Sequence, residues 1–576
     1  TNQATAIIAN TAKVGYTDDL VAANSAVAAN TAKVGITTDQ AAAIVANTAK
    51  ISGATNINGL SDALTEDNSV YIGNSPSSTN SALANTAVGS NALNDVTTGS
   101  RNIAVGYESI ANNTIANDNI GVGTWALQSN TTGSSNVAIG TAALMNSTSS
   151  NHTAVGYAAL EYNTTGEENV ALGKHTLWKN TTGSYNVAAG NQALYENLTG
   201  KFNVGIGQQA LLSNTTANYV TAVGAKALRG NTTGYGNTAV GTNALEISST
   251  GSSNTVSGWN SMPSNTTGSS NVAMGVNTMF NNTTGGSNVA LGNYSLYSNI
   301  ETSNNVSVGT RSMYSNTTGS ANVALGHEAM SGNTVGWNNV ALGFQALSGN
   351  NTADGNSAVG IESLKANTSG SNNVAFGAFS SRYNTTGSDN VAVGVNSLKT
   401  NTTGMQNTAI GKESLNFNTD GRTNVAVGRE SLYNNTTGSY NTIVGSAAGS
   451  NNTTGSRNVF IGNSAGSNSN YQTASDKLVI ANSDTETPLI DGDFSAKTLK
   501  VNGSIEASSG YKKSIGSVQT LTDNEQTVNV DGEIILIDAD YSGGSNMFNM
   551  TLSSGSWNGK TWLRVGPTLS LRRSLG

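Results

Sequence analysis

The chain has 576 residues, of which 10% are charged, with 66 glycines, four prolines, no cysteine and a formal net charge of −8; ordinary soluble proteins carry about 25% charged residues. Thin acidic charge without a basic run argues against nucleic acid as a partner. The absence of cysteine excludes disulfide frameworks and thiolate metal sites. No apolar run approaches the ~20 residues of a membrane-spanning helix.

Low charge and low hydrophobicity together would fit disorder, but the apolar residues recur at fixed spacing, which marks a repeat architecture. Residues 1–54 carry a helical pattern. The phrases ANTAKVG (9–15 and 29–35) and ANTAKISG (46–53) each place Lys before a closing glycine, the usual way a helix stops. Thr37 and Gln40 match a capping box, and Ile7, Val14 and Val21, then Leu20, Val27 and Val34, then Ile44 and Ile51 recur at seven. This predicts a helical, coiled-coil stalk. The chain opens TNQATAII without Met or a basic segment before an apolar core, so we expect a processed or truncated product without a signal peptide. Residues 55–68 read as a linker.

From 69 to 466 one phrase returns. NTTGSSNVAIGTAAL (130–144), NTTGSYNVAAGNQAL (180–194) and NTTGSANVALGHEAM (316–330) are copies. Taking the glycine of NVAIG as the origin, the marks run from Gly73 to Gly462 in 24 coils of 17 residues, two of the intervals being 16. Three residues before the glycine stands Val, Ile or Thr in all but one coil (Ser357); one before, a large apolar residue in all but two (Ala189, Ser257). Between them lies Ala or Gly in most coils. Large, small, large predicts a strand, the two large residues on one face and the small one on the other. Four residues after the glycine, from Leu93 to Leu432, comes Leu, Met or Ile (Ser381 excepted), expected on a shorter extended piece; Asn-Thr-Thr-Gly then marks a corner.

A 17-residue unit cannot bury a core alone, so equivalent strands should stack in parallel, giving a β-roll or β-helix solenoid. At ~4.8 Å per strand, 24 coils make a rod of about 115 Å. We expect Val, Ile and Leu ladders inside, with Asn columns bonded to one another or to corner backbone. The Ala column is expected to face out and to be kept small by other copies of the rod sharing one axis, tight packing inside a monomer being the alternative. Tyr71, Ile443 and Phe460 replace Ala in the end coils.

Phrases such as NVAIG (136–140) and NVAVG (390–394) resemble the head of YadA-like trimeric autotransporter adhesins, and also phage tail fibres with related rolls. The likeness covers roughly residues 69–466. It implies a left-handed parallel β-roll with three chains about a common axis, although the family's repeat is somewhat shorter. The last residues, TLSLRRSLG, lack the membrane β-barrel pattern that ends surface-bound adhesins. The expectation therefore moves towards a fibre mounted on a virus particle, with a bacterial adhesin or extracellular filament subunit as the alternative.

Beyond Gly466 the period is lost. Residues 467–510 read as a β connector, KLVIANSDTETPLIDGDFSAKTLKVNGSI forming short strands around an Asp-Gly turn. Residues 511–576 read as a small β tip. Reactive chemistry is sparse. His152, His175 and His327 are expected at variable surface positions, the last two nine coils or ~43 Å apart. No histidine stands ready to activate a serine. Asp491 with Asp493, and Asp538 with Asp540, lack the oxygen-rich loop of a Ca²⁺ site. The pairs Gly121/Gly123 and Gly205/Gly207 belong to the repeat columns and form no phosphate cradle. The Asn-x-Thr triplets, possible glycan acceptors in a eukaryotic secretory pathway, are read first as corners. Tyr157, Trp178, Tyr195, Tyr294, Tyr297, Tyr314 and Tyr433 should face outward, where they could stack on sugars; their scatter points instead to solvated surface or side-by-side packing.

The sequence thus predicts a non-enzymatic homotrimeric fibre without catalytic, cofactor or metal residues and without membrane insertion. It would be anchored to a virion baseplate or tail, or sit at a cell surface, and would attach through the C-terminal tip to a host glycan or protein. An ice- or surface-binding solenoid using the Thr columns is the remaining reading.

Overall fold

The computed structural model of the chain describes residues 63–66, 69–73, 81–503, 505–506 and 512–513. Within them the molecule is an all-β solenoid without an α-helix. The expected stalk (1–54) and tip (511–576, save a two-residue strand), together with Asp538 and Asp540, lie outside the described residues.

The stack opens with an antiparallel pair, β1 (Ala63–Glu66) and β2 (Ser69–Gly73). From β2 the strands pair in parallel, coil upon coil, through β3 (Thr86–Gly89) to β25 (Val459–Ile461) and on to β26 (Lys477–Ile480). Register never slips: Val204 faces Thr221, which faces Thr238, which faces Thr255. After the last coil, β27 (Ile490–Asp493) and β28 (Thr498–Val501) continue antiparallel and close the stack. The expected Asp-Gly turn is displaced. Asp491 and Gly492 lie inside β27, and the chain reverses at 494–497, where Asp493 accepts from Ser495 Oγ at 2.6 Å and Ala496 N at 2.8 Å. A short pair, β29 (Ile505–Glu506) and β30 (Lys512–Lys513), follows.

The faces of the strand are opposite to the sequence expectation. The middle residue is the buried one: Ala138, Ala171, Ala188, Ala239, Ala324 and Ala392 are all fully enclosed. The flanking Val, Ile and Leu point outward. The +4 column fulfils its part, with Leu127, Leu144, Leu245 and Leu432 fully buried. Space explains the reversal. Each coil is a flattened loop whose interior admits one large column, and Leu fills it against Ala. In the last two repeat coils the small column grows and the large one shrinks. Ile443 and Phe460 replace Ala in the same coils where Gly449 and Gly466 replace Leu. A Cβ on Gly466 would lie 2.7 Å from the Phe460 ring. Conversely Ile110 stands for Leu beneath Gly121, whose Cβ would meet Ile110 Cγ1 at 2.6 Å. The large residues of the end coils are therefore internal plugs, not outward contacts.

The segment after the glycine is a tight turn, not an extended piece. Its second and fourth residues adopt left-handed angles in coil after coil, for example Gln192 (φ 58°) and Leu194 (φ 52°). Such angles cost a non-glycine residue about 1–2 kcal/mol. Inter-coil bonds offset this: Leu194 N donates to Ala210 O at 2.9 Å in the next coil, and Gln192 N to Lys174 O at 3.0 Å in the previous one. The marking glycine is required here for a separate reason. At φ near +130° its backbone touches that of the next coil, so a Cβ on Gly241 would sit 2.5 Å from Gly258 O.

Candidate functional site

The corners consume their polar groups in holding coils together. Two buried Asn ladders run along the shaft, the first interrupted at His152 and Val220 and the second at Ser147 and Ser248. In the first, Asn271 Nδ2 donates to Gly285 O at 2.9 Å, and its Oδ1 accepts from Asn288 N at 3.0 Å. In the second, made by the Asn of Asn-Thr-Thr-Gly, Asn197 Nδ2 donates to Asn180 Oδ1 at 2.7 Å and to Gly200 O at 3.1 Å. Glycan addition would require those side chains to leave the core. In the same corner the first Thr is used internally: Thr266 Oγ1 donates to Thr283 O at 3.0 Å. The second Thr is exposed, as at Thr132 and Thr267, while the first is half-buried in most coils, Thr164 being exposed as well. A flat double Thr face is therefore missing along these coils.

The histidines divide. On the outside, His175 is half-buried and His327 exposed, His327 stacking on Phe344 with centroids 5.6 Å apart. His152 corrects the surface expectation, being 1% exposed in the place of an Asn of the first ladder. It sits in a 16-residue coil whose corner reads Ser147-Thr148-Ser149. Its Nδ1 accepts from Asn169 N at 3.2 Å, so Nε2 holds the proton and faces Ser149 Oγ at 2.9 Å, which donates on to Gly166 O at 2.6 Å. Burial pushes its pKa down to about 4. Its position four residues before Gly156, the Asn column, was the sequence signal for this burial.

Among the described residues no three His, Asp or Glu side chains gather as metal ligands. Asp493 pairs with Lys477, which holds its carboxyl well below the usual range, with Ser495 and Ala496 adding to the effect. A shallow notch of about 500 Å³ opens where Ser331, Ser348 and Gly349 occupy positions that are larger elsewhere. The charges beside it are mutually neutralised, Glu362 pairing with Lys365 at 3.1 Å and with Arg382.

Two features of the outer surface remain. The first is the strand face. Ile103, Val105, Ile139, Leu172, Ile206, Met274 and Phe376 are 36–47% exposed, and no charged residue enters either outward column from Val70 to Ile461. With up to about 40% of one such side chain and less of the other uncovered per coil, the stripe amounts to roughly 1,000–2,000 Å². Monomeric proteins seldom expose a contiguous apolar patch above about 300–600 Å².

The second is an aromatic group on the turn after the glycine, where Tyr157, Tyr162, His175, Trp178 and Tyr195 meet across three successive coils. Ring centroids lie 5.3 Å apart for Tyr157–His175, 5.1 Å for Tyr162–Trp178 and 4.9 Å for Trp178–Tyr195. Sequence spacing had suggested scatter; stacking makes these residues neighbours. Burial, with Lys174 beside it, lowers the His175 pKa and favours the neutral ring. Further ring ladders follow at Tyr185–Phe202–Tyr219 and at Phe280–Tyr297–Tyr314.

Comparison with protein-family models, curated proteins and solved structures found no match.

Proposed function

We propose that this chain forms the shaft of an elongated homotrimeric fibre, a phage tail fibre or a similar receptor-binding appendage that attaches its bearer to a host cell. The observation that carries this reading is the uncharged apolar stripe on the outside of an unbroken stack. Solvated strand positions accept Lys, Glu and Gln freely, so two outward columns without charge over the whole shaft mark a covered face. The stripe's area exceeds the ~800 Å² that each partner contributes to a standard stable interface. Other copies lying parallel, in register, would satisfy it along its full length; the likeness of the NVAIG phrases to trimeric heads favours three. The rod then acts as a spacer. It holds three copies of the C-terminal segment away from the particle, and weak contacts to a surface glycan or protein multiply through effective concentration.

Antibodies raised against residues 81–503 test the assignment. They should decorate thin projections on a virion and block its adsorption to cells. Decoration of a bacterial surface would assign the same fibre to an adhesin, whereas a purely intracellular, soluble pool would overturn the reading.

A further inference from the structure

We propose that the aromatic group at Tyr157, Tyr162, His175, Trp178 and Tyr195 is a binding site for a neutral β-linked pyranose oligosaccharide, carried on the shaft itself. This deepens the attachment reading on which it rests, yet depends on neither the copy number nor the C-terminal segment.

Three observations converge. The rings mix one stacked pair, Trp178–Tyr195 at 24°, with edge-on pairs, unlike the fully stacked ladder at Tyr185–Phe202–Tyr219. In Tyr185–Phe202–Tyr219 the planes are within 3° of parallel, so neighbouring faces cover one another. Here Tyr157 stands at 64° to His175 and Tyr162 at 80° to Trp178. An edge-on pair leaves at least one ring with both faces uncovered by its partner. Tyr157 and Tyr162 are 53% and 43% exposed. The group is also held in place. Trp178 Nε1 donates to Glu161 Oε2 at 2.7 Å, and Lys179 pairs with Glu196 at 2.7 Å. Ordered rings lose little entropy when a ligand docks.

The charges at its rim select the ligand. A cationic ligand would be repelled by Lys174 and Lys179, whose ammonium groups lie 5.7–5.9 Å from the Tyr157, Trp178 and Tyr195 centroids. An anion would meet Glu161 and Glu196. An apolar helix needs a groove, and this surface follows the convex turn. A pyranose with equatorial hydroxyls suits what remains: its axial C–H face lies on a ring while its hydroxyls bond to carboxylate and ammonium at the rim. The same column carries Phe280, Tyr297 and Tyr314 six coils further on, roughly 29 Å away, so one long glycan chain can span both.

Saturation-transfer NMR on the full chain, with cellohexaose and chitohexaose as probes, decides the matter. Transfer should reach the axial H1, H3 and H5 protons. It should fall at least about tenfold in Trp178→Ala/Tyr195→Ala, as for loss of a central aromatic anchor. It should persist in Tyr185→Ala/Phe202→Ala. Small residues already occupy the Trp178 column at Ala111 and Ser331, so the variant has precedent within the fold; unchanged amide exchange verifies it. No transfer from either saccharide, transfer that survives the first variant, or transfer only to a sulfated saccharide would overturn the site. Each of those results leaves the shaft and its assembly standing.

Discussion

Replacing one marking glycine by alanine should cut the stack at a chosen place. Gly241 has φ +131°, and its added Cβ would lie 2.5 Å from Gly258 O and 2.8 Å from Gly258 C. The obstacle is backbone, so no side chain can swing aside. Relief requires the two coils to part by about 1 Å, an ordinary contact being near 3.4 Å. That separation would break the bonds from Gly258 N to Val240 O (2.8 Å) and from Asn260 N to Thr242 O (3.1 Å). Two lost bonds at about 1 kcal/mol each, with 1–3 kcal/mol of left-handed strain on alanine, give roughly 3–5 kcal/mol. In a solenoid, where each coil touches only its neighbours, this cost stays at one interface. Hydrogen exchange should therefore accelerate by about 100-fold or more across residues 238–262 and remain unchanged near Gly411. Gly236→Ala is the matched control. Its φ of +64° suits the non-glycine residues of its column (Tyr219, Ser253), and its Cβ would meet nothing nearer than 3.8 Å. It should be neutral or stabilising by up to about 1 kcal/mol. Equal protection in Gly241→Ala and the wild type would refute the close stacking of these glycines.

Ser381 interrupts the buried Leu column with a hydroxyl that finds no partner, while sharing the backbone angles of Leu364 and Leu398. Ser381→Leu should stabilise the coils around it by about 2 kcal/mol, read from chemical denaturation or local exchange. His152 should make its coil acid-sensitive. Its folded pKa of about 4 lies below the 6.5 of the free side chain, so its contribution is complete above pH 6.5 and lost as pH falls towards 4. The loss is on the order of 3 kcal/mol. Proteolysis between 147 and 169 should rise over that window, and His152→Asn should flatten the dependence. On the outer stripe, Ile139→Lys with Leu172→Lys should leave the β-sheet circular dichroism unchanged while weakening association of chains. Retained association in that variant would show that the copies meet elsewhere.

Much of the solenoid was legible because stacking turns chemistry into periodicity. The 17-residue spacing, the three-residue strand and the buried Leu column follow from the sequence, and so do the bonded Asn corners. What misled was the assumption that the larger residues of a strand face inward. Patterning shows that Val137 and Ile139 share a face that Ala138 does not, but not which face is enclosed. The deciding information lay in compensation between columns, Phe460 with Gly466 and Ile443 with Gly449. The turn bearing Leu was misread as extended because asparagine marks its left-handed residues in only a few coils (Asn243, Asn260 and Asn277 among them) and glycine only at Gly449 and Gly466; elsewhere bonds to neighbouring coils enforce those angles. His152 was likewise readable by column and was missed when judged as an isolated histidine. The aromatic group required three dimensions, since Tyr162 and Trp178 are neighbours only across coils.

Multi-angle light scattering combined with negative-stain imaging of the full chain addresses the central proposal. Coils stacked into a stiff rod, with their uncharged stripe turned towards sister chains, should give particles of three-chain mass bearing a straight segment of about 115 Å. Particles of single-chain mass, or compact globules without a straight segment, would contradict it.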